Sequence, residues 1–272
     1  MRFLATTLLC ALLAAGCAAE LHRPTAGPCR TPNAAQLLRD ANRSLTFVDF
    51  APGPGYDTGA HGEARPLRLR AIAPGSKAVL SYPDPERFAG ADAGFALLSR
   101  RTFVYDQALA MVWAVQHGDR PLARALGQTL AALQNPDGSW GFSFAAHGDG
   151  YYNANYVRAG AAAWCAYGLA LYLQGGADDA LQATLDRSLA WLVGQVDPTT
   201  KLVRAGHGRW HDGDHFDPDW PADFAATEHQ IDAWFALMAA AAVPGVAQAA
   251  EWRNIANQLA AAVDARLWRA GE

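Results

Sequence analysis

The sequence predicts an all-α fold built of stacked helical hairpins. After residue 100 the apolar residues recur at helical rather than strand spacing, and clusters of Gly, Pro, Asn and Asp break the helices into pairs. The pairs also repeat. Gln134 and Gln195 hold matching places at the ends of their helices, a period of 61 residues (195 − 134). A period of that size argues for supersecondary units that bury their faces by stacking on one another.

The first hairpin shows the unit. Thr102 is placed to cap a helix in which Phe103, Val104, Met111, Val112 and Val115 supply the apolar positions, ending near His117. Gly118-Asp119-Arg120-Pro121 turns the chain, because Gly stops a helix and Pro fits the first turn of the next. Leu122, Ala125, Leu126, Thr129, Leu130 and Leu133 line the second helix, which stops at Gln134-Asn135-Pro136-Asp137-Gly138. The loop that follows carries Trp140, Phe142 and Phe144 beside Asp137, so aromatic and acidic groups are expected together at one end of the hairpin. The second pair is expected at Val157–Gln174 and Asp179–Gln195, and the third at Glu228–Val243 and Ala247–Trp268. In the third pair Ile231, Trp234, Phe235, Met238 and Ala242 form a stripe at helical spacing, which predicts a buried face.

Before residue 100 the signals change. Met1-Arg2 and the apolar run Phe3 to Ala15 are too short for a membrane span and read as a secretory signal over residues 1–16. Gly16-Cys17 after Ala14-Ala15 is similar to a bacterial lipobox, with Ala14 where Leu is more usual; lipidation of Cys17 and an exported, membrane-anchored envelope protein are expected. Residues 17–33 then form a Pro- and Thr-containing tether, and 34–272 the helical domain. A short helix at Ala34 to Arg43 and short strands at Leu67-Arg68-Leu69-Arg70 and Ala78 to Tyr82 are expected. Lys and Arg number 22 against 26 Asp and Glu, and loss of Arg2 with the signal makes the balance more negative. With no basic run, this argues against nucleic acid as a partner. Of four cysteines, Cys10 leaves with the signal and Cys17 is acylated, so only Cys29 and Cys165 remain, at a spacing that implies no disulfide.

Chemistry-bearing residues concentrate near the third pair. Thr227-Glu228-His229-Gln230 matches a capping box, and Glu228 and Asp232 are four apart on one helix face. Like charges at that spacing destabilise a helix slightly, so a functional pair competes with the plain reading of two solvated carboxylates. Glu228 also lies at the positive end of its helix, where a carboxylate is favoured.

These segments carry a resemblance. Phe103-Val104-Tyr105-Asp106-Gln107-Ala108-Leu109, Gln134-Asn135-Pro136-Asp137-Gly138-Ser139-Trp140, Tyr156-Val157-Arg158-Ala159-Gly160 with Trp164, and Thr227-Glu228-His229-Gln230-Ile231-Asp232 resemble bacterial six-hairpin glycosidase-like proteins. The resemblance runs from about Ser81 to the end and implies an (α/α) toroid whose open end binds carbohydrate. Its members include hydrolases and lyases. Asp106, Glu228 and Asp232 are then the candidate catalytic carboxylates, since glycoside hydrolysis needs a proton donor and a second carboxylate. Trp140, Tyr151, Tyr152, Trp210 and Trp220 are expected in loops where they stack on sugar faces, Asp149 and Asn153 hydrogen-bond hydroxyls, and Arg158 holds a carboxylate of the protein or of an acidic sugar.

Two other functions fit the same pattern. One is a non-catalytic sugar-binding or assembly lipoprotein on this fold. The other is a terpenoid-cyclase-like toroid, suggested by Gln134 to Trp140 but opposed by the export signal and the lack of an Asp-rich helical cluster. His211, Asp212, Asp214, His215, Asp217 and Asp219 have metal-ligand chemistry, yet lack the terminal Glu of a calcium loop, so a solvated loop is expected and no metal or cofactor. At this period six hairpins need roughly 366 residues, so the expectation is an incomplete toroid of three to four hairpins. Its terminal pair would leave exposed Leu, Trp and Ala on an open apolar edge suited to self-association.

Overall fold

The computed structural model describes residues 45–53, 69–82, 100–148, 155–211 and 215–267. The described elements all belong to one unit, Thr46–Glu272. They comprise nine short strands, β1 to β9, and six helices, α1 to α6. The helices form three hairpins: α1 (Val104–Gln116) with α2 (Arg120–Leu133), α3 (Ala159–Gln174) with α4 (Asp179–Gly194), and α5 (Thr227–Ala240) with α6 (Ala249–Arg266). The inner helices stand in a row, α1 packing on α3 and α3 on α5, and each outer helix backs its own partner. This is the stacked-hairpin order of an (α/α) toroid.

Composition explains the roles. Helix α2 buries Ala123, Leu126, Leu130 and Leu133 on one stripe, as a helix with a single packed face should. Helix α3 is buried almost all round through Ala159, Gly160, Ala161, Ala162, Ala163, Cys165, Ala166, Gly168 and Ala170, and these small side chains let α1 and α5 approach it from both sides. The turns follow the expected chemistry. Gly118 takes φ +75° after α1, and Asp119 caps α2 by accepting from the Leu122 amide at 3.1 Å.

Short strands tie the N-terminal ends of the inner helices together. β4 (Arg101–Phe103) enters α1 and pairs with β5 (Ser143–Ala145); β7 (Val157–Arg158) enters α3 and pairs with β8 (Gly206–His211), which pairs with β9 (His215–Ala222) ahead of α5. A bridge from Gly141 to Val157 joins the two groups. Below them β1 (Phe47–Asp49) pairs with β3 (Lys77–Val79), and β2 (Ala51–Pro52) with β6 (His147–Gly148).

Three buried glutamines clamp this frame. On α1, the Gln107 Oε1 accepts from the Val79 amide at 3.0 Å while its Nε2 donates to the Lys77 and Leu126 carbonyls. On α5, Gln230 does the same for Val203, accepting from its amide at 2.6 Å and donating to its carbonyl at 2.9 Å. Gln134 joins the first hairpin to the second through the Thr184 carbonyl and the Arg187 Nε.

Several local expectations are corrected. Thr102 does not cap α1; it lies in β4 and its hydroxyl donates to the Val79 carbonyl. The capping box at Thr227 does not form, because Ala226 is the N-cap and the Gln230 side chain is spent on Val203. The stripe predicted to be buried on α5 is not: Ile231 is 39% exposed, whereas His229, Gln230, Asp232, Ala233, Ala236 and Leu237 turn inward. Ile231 and Trp234 instead line a shallow apolar groove with Leu259, Ala260 and Val263 of α6. Leu69 and Arg70 lie outside any strand, while of the second expected strand only Ala78 and Val79 lie in β3, and Leu80, Ser81 and Tyr82 fall outside it. Cys165 is a free, buried thiol. Residues 1–44, with the signal, Cys17, Cys29 and the expected early helix, lie outside the described residues, as do Leu67 and Arg68.

Truncating a clamp should destabilise the fold measurably. Gln230→Ala leaves the buried Val203 amide and carbonyl without their partner, and is expected to lower unfolding free energy by about 2 kcal/mol or more in a urea titration.

Candidate functional site

The N-terminal ends of α1, α3 and α5 meet around Gly160. A β-carbon built on that residue would sit 2.1 Å from the Tyr105 hydroxyl, 2.5 Å from His229 Cδ2 and 2.8 Å from Asp232 Oδ2. Glycine is therefore required here by space, and its absent side chain is what lets one group from α1 and two from α5 converge over α3. Trp164, one turn further along α3, hydrogen-bonds the Asp232 carboxyl.

The two carboxylates of α5 sit in opposite environments. Glu228 has its side chain 75% exposed, at the first turn of the helix. Asp232, one turn deeper, is 9% exposed. Burial first, and the neighbouring Glu228 charge second, push the Asp232 carboxyl up to about 8, against a smaller opposing effect of the Trp164 hydrogen bond. It therefore holds its proton near neutral pH. Tyr105 is pushed up by burial and by Asp232 and Glu228, so its phenol is a donor rather than an anion. Burial lowers His229 as well, and Arg158 acts in the same direction.

Beside this cluster a line of aromatic rings, half-buried except for the buried Phe216, follows the strand belt. Tyr82 meets Phe103 edge-on at 6.2 Å, Phe103 meets Phe142 at 5.5 Å, and Phe142 meets Tyr156 at 5.2 Å. The line continues through Phe216, 6.4 Å from Tyr156, to Trp210 at 4.9 Å. The Arg158 guanidinium lies 3.9 Å from the Tyr156 ring centre and donates to the carbonyls of Val157, His207 and Gly208.

The structure sorts the predicted residues. Glu228 and Asp232 lie one turn apart on α5. Asp106 is on α1, where its carboxyl bonds Ser81 and is raised by burial. Tyr105, one residue earlier and so about 100° round the helix, is the α1 side chain that reaches Gly160. Trp140 is fully buried with its Nε1 donating to the Leu130 carbonyl at 2.7 Å, and Phe144 is equally buried, so of this loop's three aromatic rings only Phe142 keeps an exposed face. Trp210 and Trp220 lie on β8 and β9 rather than in loops, Trp220 beneath the Arg209 guanidinium. Arg158 serves backbone carbonyls in place of a carboxylate. Asp149, Tyr151, Tyr152 and Asn153 lie outside the described residues. Of the His- and Asp-bearing loop, His211 and Asp217 approach to 3.9 Å, and no group of three metal-ligating side chains occurs among the described residues.

No family model matches the sequence, and no curated protein matches it. Among solved structures, the unsaturated glucuronyl hydrolase of Bacillus sp. GL1, described as responsible for the degradation of glycosaminoglycan, is 14% identical with a TM-score of 0.44. A UGL variant with the saccharide dGlcA-Glc-Rha-Glc is 17% identical with a TM-score of 0.47. Each match covers 65% of this chain and 49% of the other, so the chain spans about half the length of the structures it matches.

The sequence reading missed Tyr105, Gly160, Trp164 and His229 as site members. One signal for them was present: Ala159-Gly160-Ala161 in a helical first turn marks a place where something must come close.

The buried carboxyl makes a stability prediction with a definite sign. A carboxyl raised from 3.8 to about 8 binds its proton more tightly folded than unfolded. Its contribution is complete below the ordinary carboxylate range and is lost as the pH rises towards 8. Asp232→Asn should accordingly flatten the fall in melting temperature between about pH 4 and pH 8 seen for the unaltered chain, as read by thermal melts in a pH series.

Proposed function

We propose that the chain is a glycoside hydrolase-like protein acting on an oligo- or polysaccharide. One observation carries this reading: Asp232 keeps its proton near neutral pH while Glu228, four residues earlier on the same helix face, stands in solvent. A buried carboxyl that keeps its proton, with a second carboxyl exposed one turn away, is an arrangement glycoside cleavage can use. Asp232 is the general acid for the leaving oxygen. Glu228 is the carboxylate that activates water or attacks the sugar. The Tyr105 phenol and the Trp164 indole, both donors, keep the Asp232 carboxyl directed, and the half-exposed rings of Phe103, Phe142 and Tyr156 offer apolar faces to sugar rings.

The test is a panel of oligosaccharides and polysaccharides scored for new reducing ends alongside binding. Turnover is expected, and Asp232→Asn and Glu228→Gln should each lower it on the order of 10²–10⁴-fold without loss of helical circular dichroism. Because the acid must be protonated, kcat/KM should fall above about pH 8, and that limb should vanish in any residual activity of Asp232→Asn. Binding without turnover anywhere on the panel would replace the enzyme with a sugar-binding module.

We further propose, from the apolar run Phe3 to Ala15 and from Gly16-Cys17, that the protein is exported and held in the cell envelope by a lipid on Cys17. Labelled fatty acid is expected to be incorporated by the full chain in a bacterial host and not by Cys17→Ser; equal labelling of both would overturn the anchor.

A further inference from the structure

We propose that His229 is a positioning residue that orients the Glu228 carboxylate from the buried side of α5. The inference rests on the hydrolase reading above and adds a third member of α5 to it. His229 is 4% exposed, packed with its Cδ2 edge over Gly160 between α3 and its own helix. Its Nε2 lies 3.8 Å from Glu228 Oε1. That is longer than a hydrogen bond, and the exposed carboxylate has the rotamer freedom to close the gap. The other ring nitrogen, Nδ1, is buried with no hydrogen-bond partner among the described residues. Buried polar atoms are nearly always paired. A histidine kept merely to fill space would be expected to satisfy both nitrogens or to be replaced by an apolar ring.

The titratable and charged groups around the imidazole come from four residues. Glu228 and Asp232 are on its own helix, Arg158 stands at the entry to α3, and the Tyr105 phenol comes from α1. Burial dominates and keeps the ring neutral, with Glu228 pulling the other way and Arg158 reinforcing burial. A neutral ring has one N–H. Carried on Nε2, it faces the carboxylate and can hold it in one rotamer without the strong ion pair that would blunt a base. An exposed Glu side chain samples many rotamers, so restricting it raises the fraction of time it spends in the productive geometry.

The experiment compares His229→Phe, His229→Gln and Glu228→Gln in the full chain. His229→Phe keeps a ring and removes both nitrogens; because Nδ1 has no partner to lose, the melting temperature should stay close to that of the unaltered chain. Its kcat should drop on the order of tenfold to a hundredfold with KM little changed. His229→Gln, which can donate an amide N–H from similar reach, should recover much of that loss. Nitrogen NMR of the histidine-labelled protein, which needs no substrate, should find the proton on Nε2 and a shift of that resonance in Glu228→Gln.

Unaltered kcat in His229→Phe, beside an inactive Glu228→Gln, would overturn the positioning role and leave the hydrolase reading standing. An active Glu228→Gln would remove the base and the inference together. Should His229→Phe fail to fold, the NMR result decides: a proton on Nδ1, or an Nε2 resonance indifferent to Glu228, contradicts the proposal.

Discussion

The close approach of α1 and α5 across Gly160 is the constraint on which the site depends. With a β-carbon there, the Tyr105 hydroxyl, the His229 edge and the Asp232 carboxyl could not occupy their places. Their convergence removes water from Asp232, and the loss of water, more than any single partner, holds the proton on the carboxyl. One turn away the helix end leaves Glu228 in solvent. The missing side chain at Gly160 thus lets one carboxyl be buried while another, four residues earlier on the same helix, stays exposed.

That arrangement survives only if the three helix ends stay in register, and the strand belt supplies the restraint. The short strands from β4 to β9 span the entries of α1, α3 and α5, while Gln107 and Gln230 fasten two of those helices to the backbone before them. The clamps repeat because the hairpins repeat. In each case a buried side-chain amide replaces the missing partner of an extended segment, which is how irregular backbone can lie against a helical core with its polar groups satisfied. Arg158 extends the same logic, since its guanidinium gathers carbonyls of β7 and β8 while stacking on Tyr156, in the aromatic line that borders the carboxylates.

The helices were legible in the sequence because their signals are local. Gly118, Pro121, Pro136 and Gly138 bracket α1 and α2, and the observed bounds of α3 and α4 fall within a few residues of those expected. Facing was harder to read. On α5 the large apolar residues Ile231 and Trp234 pointed to a buried stripe, yet the packed face is built from Ala233, Ala236 and Leu237 with the polar His229, Gln230 and Asp232. Small residues pack more closely against the Ala-rich α3, Gln230 is held by Val203 and Asp232 by Trp164, and no periodicity of hydrophobic side chains reveals such contacts. Trp140 misled for a related reason: its indole N–H meets the Leu130 carbonyl inside the hairpin, so an aromatic residue in a loop sequence turns out to be core. Asp106 was a candidate for its carboxyl and its place near the start of an inner helix; which of the adjacent side chains reaches Gly160 depends on the rotation of α1, and there it is Tyr105, while the Asp106 carboxyl bonds Ser81.

The central claim is that the buried Asp232 carboxyl keeps its proton at neutral pH, and carboxyl-labelled aspartate NMR measures it most directly. A titration of the folded protein, with Asp232→Asn used to assign the resonance, should show the Asp232 carboxyl still protonated at pH 7 and titrating near 8. A resonance already ionised at pH 6 would contradict the account, because the buried carboxyl would then have no proton to give at neutral pH.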